Sequence, residues 1–173
     1  MRRYTILLLA LITIGLGAHR ASTWALFSDT DVVAGNRLQM ESWDTSIPEA
    51  CVGMQFDDVI YGTPQDDTIT GTNGADLVFG FMGNDTIDGG NQHDCLVGGE
   101  GDDRLIGGNG KDVLVGGVGR DTADAENGKD TLIGGPEDDI LDGSNGTDLV
   151  DGGDGTDFCD PGLAPGVVVN CEA

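Results

Sequence analysis

The sequence predicts an all-β solenoid of two short-stranded parallel sheets, with about 18 residues in each coil. Three observations predict it: an aspartate recurs every nine residues, a glycine-rich stretch precedes it, and a short stretch centred on an apolar residue follows it. Glycine supplies 30 of the 173 residues, more than twice the average usage of about 7%. Because only 5% of the residues are aromatic, the fold has to bury small side chains in a regular way.

The aspartates keep the nine-residue spacing through twelve repeats without a slip. Acidic residues occupy about a sixth of the chain, so chance cannot produce such a series. An earlier, degenerate unit can be read at residues 49–53. The twelve aspartates are Asp58, Asp67, Asp76, Asp85, Asp94, Asp103, Asp112, Asp121, Asp130, Asp139, Asp148 and Asp157.

The apolar residue two places after each aspartate marks the strand half of the repeat. It is Ile, Leu or Val in ten repeats, with Ala123 and Cys159 in the other two. In a short strand, alternation points this residue inward and its two neighbours outward. Glycine stands four places after the aspartate in ten repeats, with Ala125 and Pro161 as the exceptions, and it turns the chain because it tolerates positive φ. Two repeats therefore complete one coil of turn, strand, turn and strand.

Coils stacked in this way place the aspartates in two rows on opposite edges, because residues two repeats apart line up. Carboxylates stacked at the sheet spacing of about 4.8 Å repel each other unless a cation lies between them. Calcium suits such a row, since it accepts about 6–8 oxygen ligands, including backbone carbonyls, whereas magnesium requires a stricter octahedron. The first row is Asp58, Asp76, Asp94, Asp112, Asp130 and Asp148, and the second row is Asp67, Asp85, Asp103, Asp121, Asp139 and Asp157.

Residues 107–115 (GGNGKDVLV) fit the pattern G-G-x-G-x-D-x-U-x, where U is apolar, at every fixed place, and residues 98–106 and 116–124 also fit apart from Ala123. The sequence resembles the RTX (hemolysin-type) calcium-binding nonapeptide repeat family over residues 53–161. The resemblance implies a right-handed parallel β-roll with calcium ions between adjacent loops of one edge, so that six loops in a row allow at most five sites. The loop glycines that it implies at these sites are Gly98, Gly99, Gly101, Gly107, Gly108, Gly110, Gly116, Gly117 and Gly119.

The loops are not equivalent, because the glycine two places before the aspartate is replaced in four of them. The replacements are Phe56, Gln65, Gln92 and Glu137. The first two loops also lack the double glycine, so we expect the N-terminal edge and the Asp139 loop to bind calcium weakly or not at all. The best series are expected at Asp85, Asp103 and Asp121 on one edge and at Asp112, Asp130 and Asp148 on the other.

The predicted core is a narrow file of about two apolar residues per coil. Burial stabilises each such side chain by about 2 kcal/mol, whereas ordering the backbone costs about 1–2 kcal/mol per residue. We therefore hypothesise that the calcium-free chain is largely disordered and that calcium binding drives folding.

The formal net charge of −23 opposes compaction through self-repulsion and argues against nucleic acid or an anionic membrane as a partner. Two alternatives follow from it: a disordered acidic chain or a fold that needs cations. The register of the aspartates favours the second. Calcium ions are therefore the predicted partners, and an extracellular-matrix or cell-surface partner is a further alternative.

The N-terminal residues 1–25 are predicted to be a signal peptide. Arg2 and Arg3 form its charged start, and the apolar stretch over residues 6–16 is shorter than the ~20 residues of a stable membrane span. Cleavage is expected after Ala25, with Gly17 as the competing site, so the protein is predicted to be secreted. We expect a linker or N-terminal cap over residues 26–48, the β-roll over residues 49–162 and a C-terminal cap over residues 163–173.

Residues 23–30 (TWALFSDT) resemble the processing region of TasA/camelysin-type exported proteins, which use a SipW-like signal peptidase. The resemblance covers about twenty residues and stops near Trp43. It implies an export route and nothing about the fold, and an ordinary signal peptide is the alternative. Trp43 is a candidate for covering the open first coil, since solenoid ends need caps.

Four cysteines in an exported chain indicate disulfides. We expect Cys159 and Cys171 to pair, close a short loop and cap the last coil. Cys51 and Cys95 are expected not to pair, because the repeat register places them on opposite sheets, one inward and one outward, about 2.5 coils apart and beyond disulfide reach. Cys51 is then a small core residue, and Cys95 is a free surface thiol or pairs between molecules.

No zinc-protease helix motif, nucleophile elbow or P-loop occurs in the sequence. His93 takes a loop place beside Asp94, where a solvated role is expected, and the repeat itself explains the many aspartates. The chain is therefore predicted to be non-enzymatic, and a calcium-binding structural or matrix protein is the leading hypothesis. The alternatives are an adhesion or interaction module, an accessory fragment of an RTX effector, and an ice-binding solenoid, for which only Thr63 and Thr72 follow a loop glycine in the required way.

Overall fold

A computed structural model describes residues 47–172. The predicted signal peptide, its cleavage site, the TasA/camelysin-like stretch and Trp43 lie outside the described residues. Within the described range, no helix is long and apolar enough to cross a membrane.

Fifteen short strands follow one another along the described chain. The repeat sets their positions, because most strands begin at a repeat aspartate or directly after it, and several run on through the double glycine of the next loop. In chain order they are β1 (Asp58–Tyr61), β2 (Thr68–Thr70), β3 (Asp76–Met82), β4 (Thr86–Asn91), β5 (Cys95–Glu100), β6 (Arg104–Gly110), β7 (Val113–Val118), β8 (Thr122–Asp124), β9 (Asn127–Gly128), β10 (Thr131–Pro136), β11 (Ile140–Asp142), β12 (Asn145–Gly146), β13 (Leu149–Asp154), β14 (Phe158–Asp160) and β15 (Val167–Val169).

The strands form two sheets in which every strand pair is parallel. The first sheet has the order β1-β3-β5-β7-β10-β13-β15, and the second contains β2, β4, β6, β8, β11 and β14 together with the short β9 and β12. Paired residues lie eighteen positions apart, as Leu96 and Leu114 do in the first sheet and Leu105 and Ala123 do in the second. The predicted all-β parallel solenoid with about 18 residues per coil is therefore confirmed.

The inner core lies between the two sheets and consists of the apolar residues two places after each aspartate. From Val78 to Val150 each of them is buried, and Ala125, which replaces a loop glycine, joins them. Ile60 and Ile69 at one end and Cys159 and Cys171 at the other are only partly buried, because no complete coil covers them. The file of inward residues is as predicted.

A second apolar layer covers the outer face of the first sheet at its N-terminal end. Leu77, Phe79 and Val113 point outward from their strands but are buried. Residues 47–56, which precede β1, lie over them through Ile47 and Phe56, among others. This layer could not be predicted from the repeat, because the covering residues lie outside the nine-residue period.

The expectation that Cys51 and Cys95 do not pair is wrong. The two residues are fully buried and form a disulfide with a Cα–Cα distance of 6.1 Å. Residues 49–53 do not form an earlier coil, since Glu49–Cys51 is a 3₁₀ turn that lies over the outer face of the first sheet. Cys95 points outward, as predicted, but it meets Cys51 there because the N-terminal segment covers that face. The predicted Cys159–Cys171 disulfide is present.

Candidate metal centre

The repeat aspartates lie in two rows, one on each edge of the roll. Ten of them are buried, with at most 3% of their surface exposed, whereas Asp58 is exposed and Asp67 is half-buried. The first row leads into the strands of the first sheet and the second row into the strands of the second sheet. The buried members are Asp76, Asp85, Asp94, Asp103, Asp112, Asp121, Asp130, Asp139, Asp148 and Asp157.

One carboxylate oxygen of each aspartate from Asp85 onward joins neighbouring coils. The backbone N–H of Asp94 donates to Oδ1 of Asp112 at 2.9 Å, and the N–H of Asp112 donates to Oδ1 of Asp130 at 2.8 Å. The same bond recurs along both rows, from Asp67 N–H to Asp85 Oδ1 through Asp139 N–H to Asp157 Oδ1. These bonds hold adjacent loops in register without any cation.

The second carboxylate oxygen, Oδ2, has no partner in nine of these aspartates. Each of these oxygens is buried and accepts no hydrogen bond from the described residues. Leaving a buried acceptor unsatisfied costs about 1–3 kcal/mol, and more for a charged group. The nine are Asp85, Asp94, Asp103, Asp112, Asp121, Asp130, Asp139, Asp148 and Asp157.

Backbone carbonyls face the same places as these orphaned oxygens. A Cβ built on Gly107 would lie 3.0 Å from Asp112 Oδ2 and 2.9 Å from the carbonyl oxygen of Ala125. A Cβ on Gly89 would likewise lie 2.7 Å from Asp94 Oδ2 and 2.9 Å from the carbonyl oxygen of Gly107. A carboxylate oxygen of one loop and a carbonyl oxygen one coil further along thus converge on the open side of a glycine.

This donor set fits calcium. Ca²⁺ prefers hard oxygen ligands, accepts carbonyls beside carboxylates and tolerates irregular geometry. Among the described residues, no three acidic, histidine or cysteine side chains converge as a metal-binding group. Backbone carbonyls would therefore supply most of the ligands, which favours calcium over zinc or another metal that prefers nitrogen and sulfur.

Burial raises the pKa of seven of the row aspartates. It raises the pKa of Asp94 and Asp121 to about 7, and neighbouring carboxylates add to the effect although the backbone N–H bond at Oδ1 opposes it. The carboxylates are therefore costly to keep charged in the absence of a cation. The pKa rises to about 6 at Asp103, Asp112, Asp130 and Asp139, and in the same direction at Asp85.

The loops of Asp67 and Asp76 satisfy their aspartates differently from the later loops. Thr63 donates to Asp67 Oδ2 through its N–H at 2.6 Å and its hydroxyl at 2.8 Å. Thr72 donates to Asp76 Oδ2 through its N–H at 2.6 Å and its hydroxyl at 3.1 Å. Sequence reasoning missed these donors, although the signal was visible as a threonine directly after the loop glycine. The expectation of weak calcium binding at the N-terminal edge stays a prediction, and these bonds supply a reason for it.

The predicted loop glycines serve two purposes in the structure. Gly98, Gly107 and Gly116 stand against the aspartate Oδ2 atoms, where a Cβ would collide with the carboxylate. Gly110 lies against the carbonyl oxygen of Gln92 one coil earlier. Among the predicted loop glycines, those that adopt positive φ are Gly99, Gly101, Gly108, Gly117 and Gly119.

Two of the four residues that replace the glycine two places before the aspartate adopt a left-handed conformation. Gln92 and Glu137, which replace glycine two places before the aspartate, have φ values of 76° and 77°. The Asp139 loop nevertheless buries an unpartnered Oδ2 like its neighbours. The expectation that this loop binds weakly also stays a prediction.

The two edges of the roll differ in their outer side chains. A stack of asparagine side chains lies along the edge that carries the first row, where Asn109 Nδ2 donates to Asn91 Oδ1 at 3.3 Å. His93, expected to be solvated, is exposed, and its Nδ1 accepts the Lys111 N–H at 2.8 Å. On the second edge Arg120 pairs with Asp102 at 2.9 Å, and hydrogen bonds from Arg120 lower the pKa of Asp102.

A parallel roll with rows of buried aspartates and carbonyl-lined loops defines a class of cation-binding repeat proteins. The family model of the RTX calcium-binding nonapeptide repeat matches the chain in four copies, at residues 52–87, 61–94, 88–123 and 124–159. These copies together cover more than half of the chain, which therefore belongs to the RTX calcium-binding nonapeptide repeat family. Comparisons with curated proteins and with solved structures found no match.

Membership in this family identifies the chain as a calcium-binding repeat protein, since RTX repeats bind Ca²⁺. The repeating aspartates fit several calcium sites. The family's β-roll is typically non-catalytic. The two disulfides are consistent with an extracellular protein.

Proposed function

We propose that this protein is secreted and serves as a structural or matrix module whose β-roll is stabilised by calcium between stacked loops, without enzymatic activity. The observation that carries the proposal is the set of nine buried, unpartnered Oδ2 atoms. Bound calcium would supply positive charge to these oxygens. The chain itself contributes the Oδ1 bonds that keep adjacent loops in register and the loop backbone carbonyls that face each carboxylate.

The proposed ligands are the repeat aspartates together with the carbonyls of the loop glycines. We expect the strongest calcium binding at Asp85, Asp103 and Asp121 in the second row. In the first row we expect it at Asp112, Asp130 and Asp148. Asp58 is exposed, whereas the carboxylates of Asp67 and Asp76 already accept threonine hydrogen bonds. We therefore place the ions at the loops from Asp85 onward.

Secretion would bring the chain to its ligand. Extracellular calcium modules bind with dissociation constants of about 10⁻⁴–10⁻³ M. A chain with a net charge of −23 would resist compaction where calcium is scarce and fold where calcium is abundant. The disulfides support this proposal, because they persist in oxidising compartments.

A calcium titration tests the proposal. In excess chelator we expect circular dichroism to report a largely unfolded chain, and added calcium should restore the β signal with several ions bound per chain by calorimetry. Magnesium at the same concentration is the control and should restore little of the signal. An unchanged β spectrum in excess chelator, together with no heat of calcium binding, would refute the proposal.

An adhesion or interaction module is the second candidate. The outer face of the first sheet carries exposed apolar side chains beyond the N-terminal cover, including Leu149 at 41% and Val167 at 58% exposure. Exposed apolar residues grouped on one face favour contact with another surface. A pull-down with cell-surface material, with and without calcium, separates this role from a purely structural one.

A further inference from the structure

We propose that residues 47–97 form an N-terminal nucleus that stays folded without calcium, and that the later coils assemble on it when calcium binds. The proposal rests on the proposed function, since it takes the later coils to need a cation. Three features that need no cation coincide in this nucleus. They are carboxylates satisfied by protein donors, a second apolar layer and a long-range disulfide.

The first feature is the pair of threonine-closed loops. Thr63 and Thr72 each donate an N–H and a hydroxyl to the Oδ2 of their own loop's aspartate, Asp67 and Asp76. From Asp85 onward every repeat aspartate has an Oδ2 without a partner in the described chain. Thus the change from closed to open loops occurs once along the roll, near its N-terminal end.

The backbone changes at the same place. The residue after the first loop glycine has positive φ in the later loops, beginning with Phe81 at 86° and continuing with Gly90 at 94°. Thr63 and Thr72 hold this same place and are not left-handed. Their ordinary conformation lets the N–H and hydroxyl reach the carboxylate of the same loop, so the two loop types differ in backbone as well as in side chain.

The second feature is the apolar layer on the outer face of the first sheet. Leu77, Phe79 and Cys95 are at most 2% exposed. The rings of Phe79 and Tyr61 stack beside them, with centroids 5.9 Å apart. Val113 of β7 extends this layer by one strand, and beyond it the outer face is open, as Leu149 illustrates. The nucleus therefore buries two apolar layers where the C-terminal coils bury one.

The third feature is the Cys51–Cys95 disulfide. It joins the 3₁₀ turn to β5 across a sequence separation of 44 residues and so encloses β1 to β4. A cross-link of this length removes conformational freedom from the unfolded chain. Cys159–Cys171 spans only 12 residues and encloses a single strand, β15.

A folded nucleus gives calcium-driven folding a direction. In a solenoid each coil contacts only its neighbours, so a preformed coil supplies the edge on which the next one pairs. The edge strand here is β5, whose partner β7 belongs to the first coil beyond the nucleus. Asp85 and Asp94 carry the first unpartnered oxygens, and they stand directly before β4 and β5, the last strands of the nucleus.

Hydrogen exchange with mass spectrometry on the full, oxidised chain tests the proposal. In excess chelator we expect peptides from residues 58–97 to exchange at least about tenfold more slowly than those from residues 104–160. In saturating calcium both regions should be protected. Equally fast exchange of both regions in chelator overturns the nucleus and leaves calcium-driven folding intact. Equally slow exchange of both regions in chelator overturns the nucleus and calcium-driven folding together.

Two variants probe the nucleus itself. The double substitution Thr63→Val and Thr72→Val removes the hydroxyl donors, and it should speed exchange of residues 58–97 in chelator by about tenfold. Thr122→Val is the matched control, because the Thr122 hydroxyl donates no hydrogen bond within the described chain. A Cys51→Ser/Cys95→Ser variant should lose the same protection in chelator. Protection retained in both test variants, at the level of the Thr122→Val control, contradicts the proposal.

Discussion

From Asp85 onward, the two oxygens of each repeat aspartate have separate roles. At Asp112, Oδ1 accepts the N–H of Asp94 and ties two coils together, while Oδ2 is buried beside Gly107 without a donor. The first contact stabilises the roll whether or not calcium is present. The Oδ2 atom stabilises the roll only when a cation binds it. The same side chain therefore holds the coils together and makes their stability depend on calcium.

Asp112→Asn should therefore have opposite effects with and without calcium. The asparagine amide keeps one oxygen that accepts the Asp94 N–H, and it places an NH₂ group toward the backbone carbonyls. The substitution also removes the buried negative charge of Asp112, a carboxyl whose pKa burial raises to about 6. We expect the calcium-free roll to gain about 1–2 kcal/mol, so that less stabilising osmolyte is needed to fold it in chelator. Calorimetry should show weaker calcium binding. Asp88→Asn, on the outer face of β4, is the charge-matched control, and equal effects of the two substitutions would contradict this division of labour.

Successive coils of the roll are joined by repeated side-chain hydrogen bonds as well as by backbone pairing. On the first-row edge Asn73, Asn91, Asn109, Asn127 and Asn145 stand one coil apart, and their amides bond in series at 3.3–3.4 Å. Asn91, Asn109 and Asn127 each donate to the coil before and accept from the coil after. The ladder links five loops of that edge, so its loss at one position affects two contacts.

Asn109→Ala should destabilise the calcium-loaded roll by about 0.5–1.5 kcal/mol, because the substitution removes two exposed hydrogen bonds. Urea denaturation at saturating calcium measures the effect. Thr147→Ala, in a loop of the same edge, removes a side chain that makes no hydrogen bond in the described chain and serves as the control. If both variants unfold at the same urea concentration, the ladder contributes no stability.

Elements that follow the nine-residue period could be predicted from the sequence, and those outside it could not. The inner file and the two rows depend on local geometry that recurs in every repeat, and the Cys159–Cys171 pair could be predicted from its short sequence separation. The Cys51–Cys95 disulfide depends on where the non-repeating residues 47–56 lie, and only tertiary packing on Leu77 and Phe79 determines that. Thr63 and Thr72 could be located in the sequence, but their hydrogen bonds to Asp67 and Asp76 depend on the backbone conformation of these two loops, which the sequence pattern does not specify.

Across the whole molecule, charge and fold oppose each other until the buried carboxylates are neutralised. A net charge of −23 is spread over a roll whose inner core is a single file of small apolar residues. Bound calcium ions and protons can each neutralise the buried carboxylates. Because both act on the same carboxylates, acidity should imitate calcium in folding the chain and should compete with calcium for binding.

The pKa values determine how the stability of the calcium-free roll changes with pH, and over which pH range. Asp94 and Asp121 have a pKa of about 7 in the folded chain, and Asp103, Asp112, Asp130 and Asp139 have a pKa of about 6, against an ordinary value of 3.8. A carboxyl whose pKa is raised by folding stabilises the fold fully below its ordinary value and loses that contribution as the pH rises through its folded value. The calcium-free roll should therefore be most stable below about pH 4 and should weaken progressively up to about pH 7.

Circular dichroism in excess chelator from pH 3.5 to pH 7.5 measures this effect directly. We expect the β signal to grow on acidification, and we expect the calcium concentration needed for folding at fixed pH to rise as the pH falls, since protons occupy the calcium-binding oxygens. Combined Asp94→Asn and Asp121→Asn substitutions should flatten the upper part of the pH profile, while Asp154→Asn, at an exposed carboxylate that accepts no hydrogen bond in the described chain, should leave it unchanged. A β signal in chelator that is constant over this range, or that grows with rising pH, would show that the buried carboxylates do not control the stability of the roll.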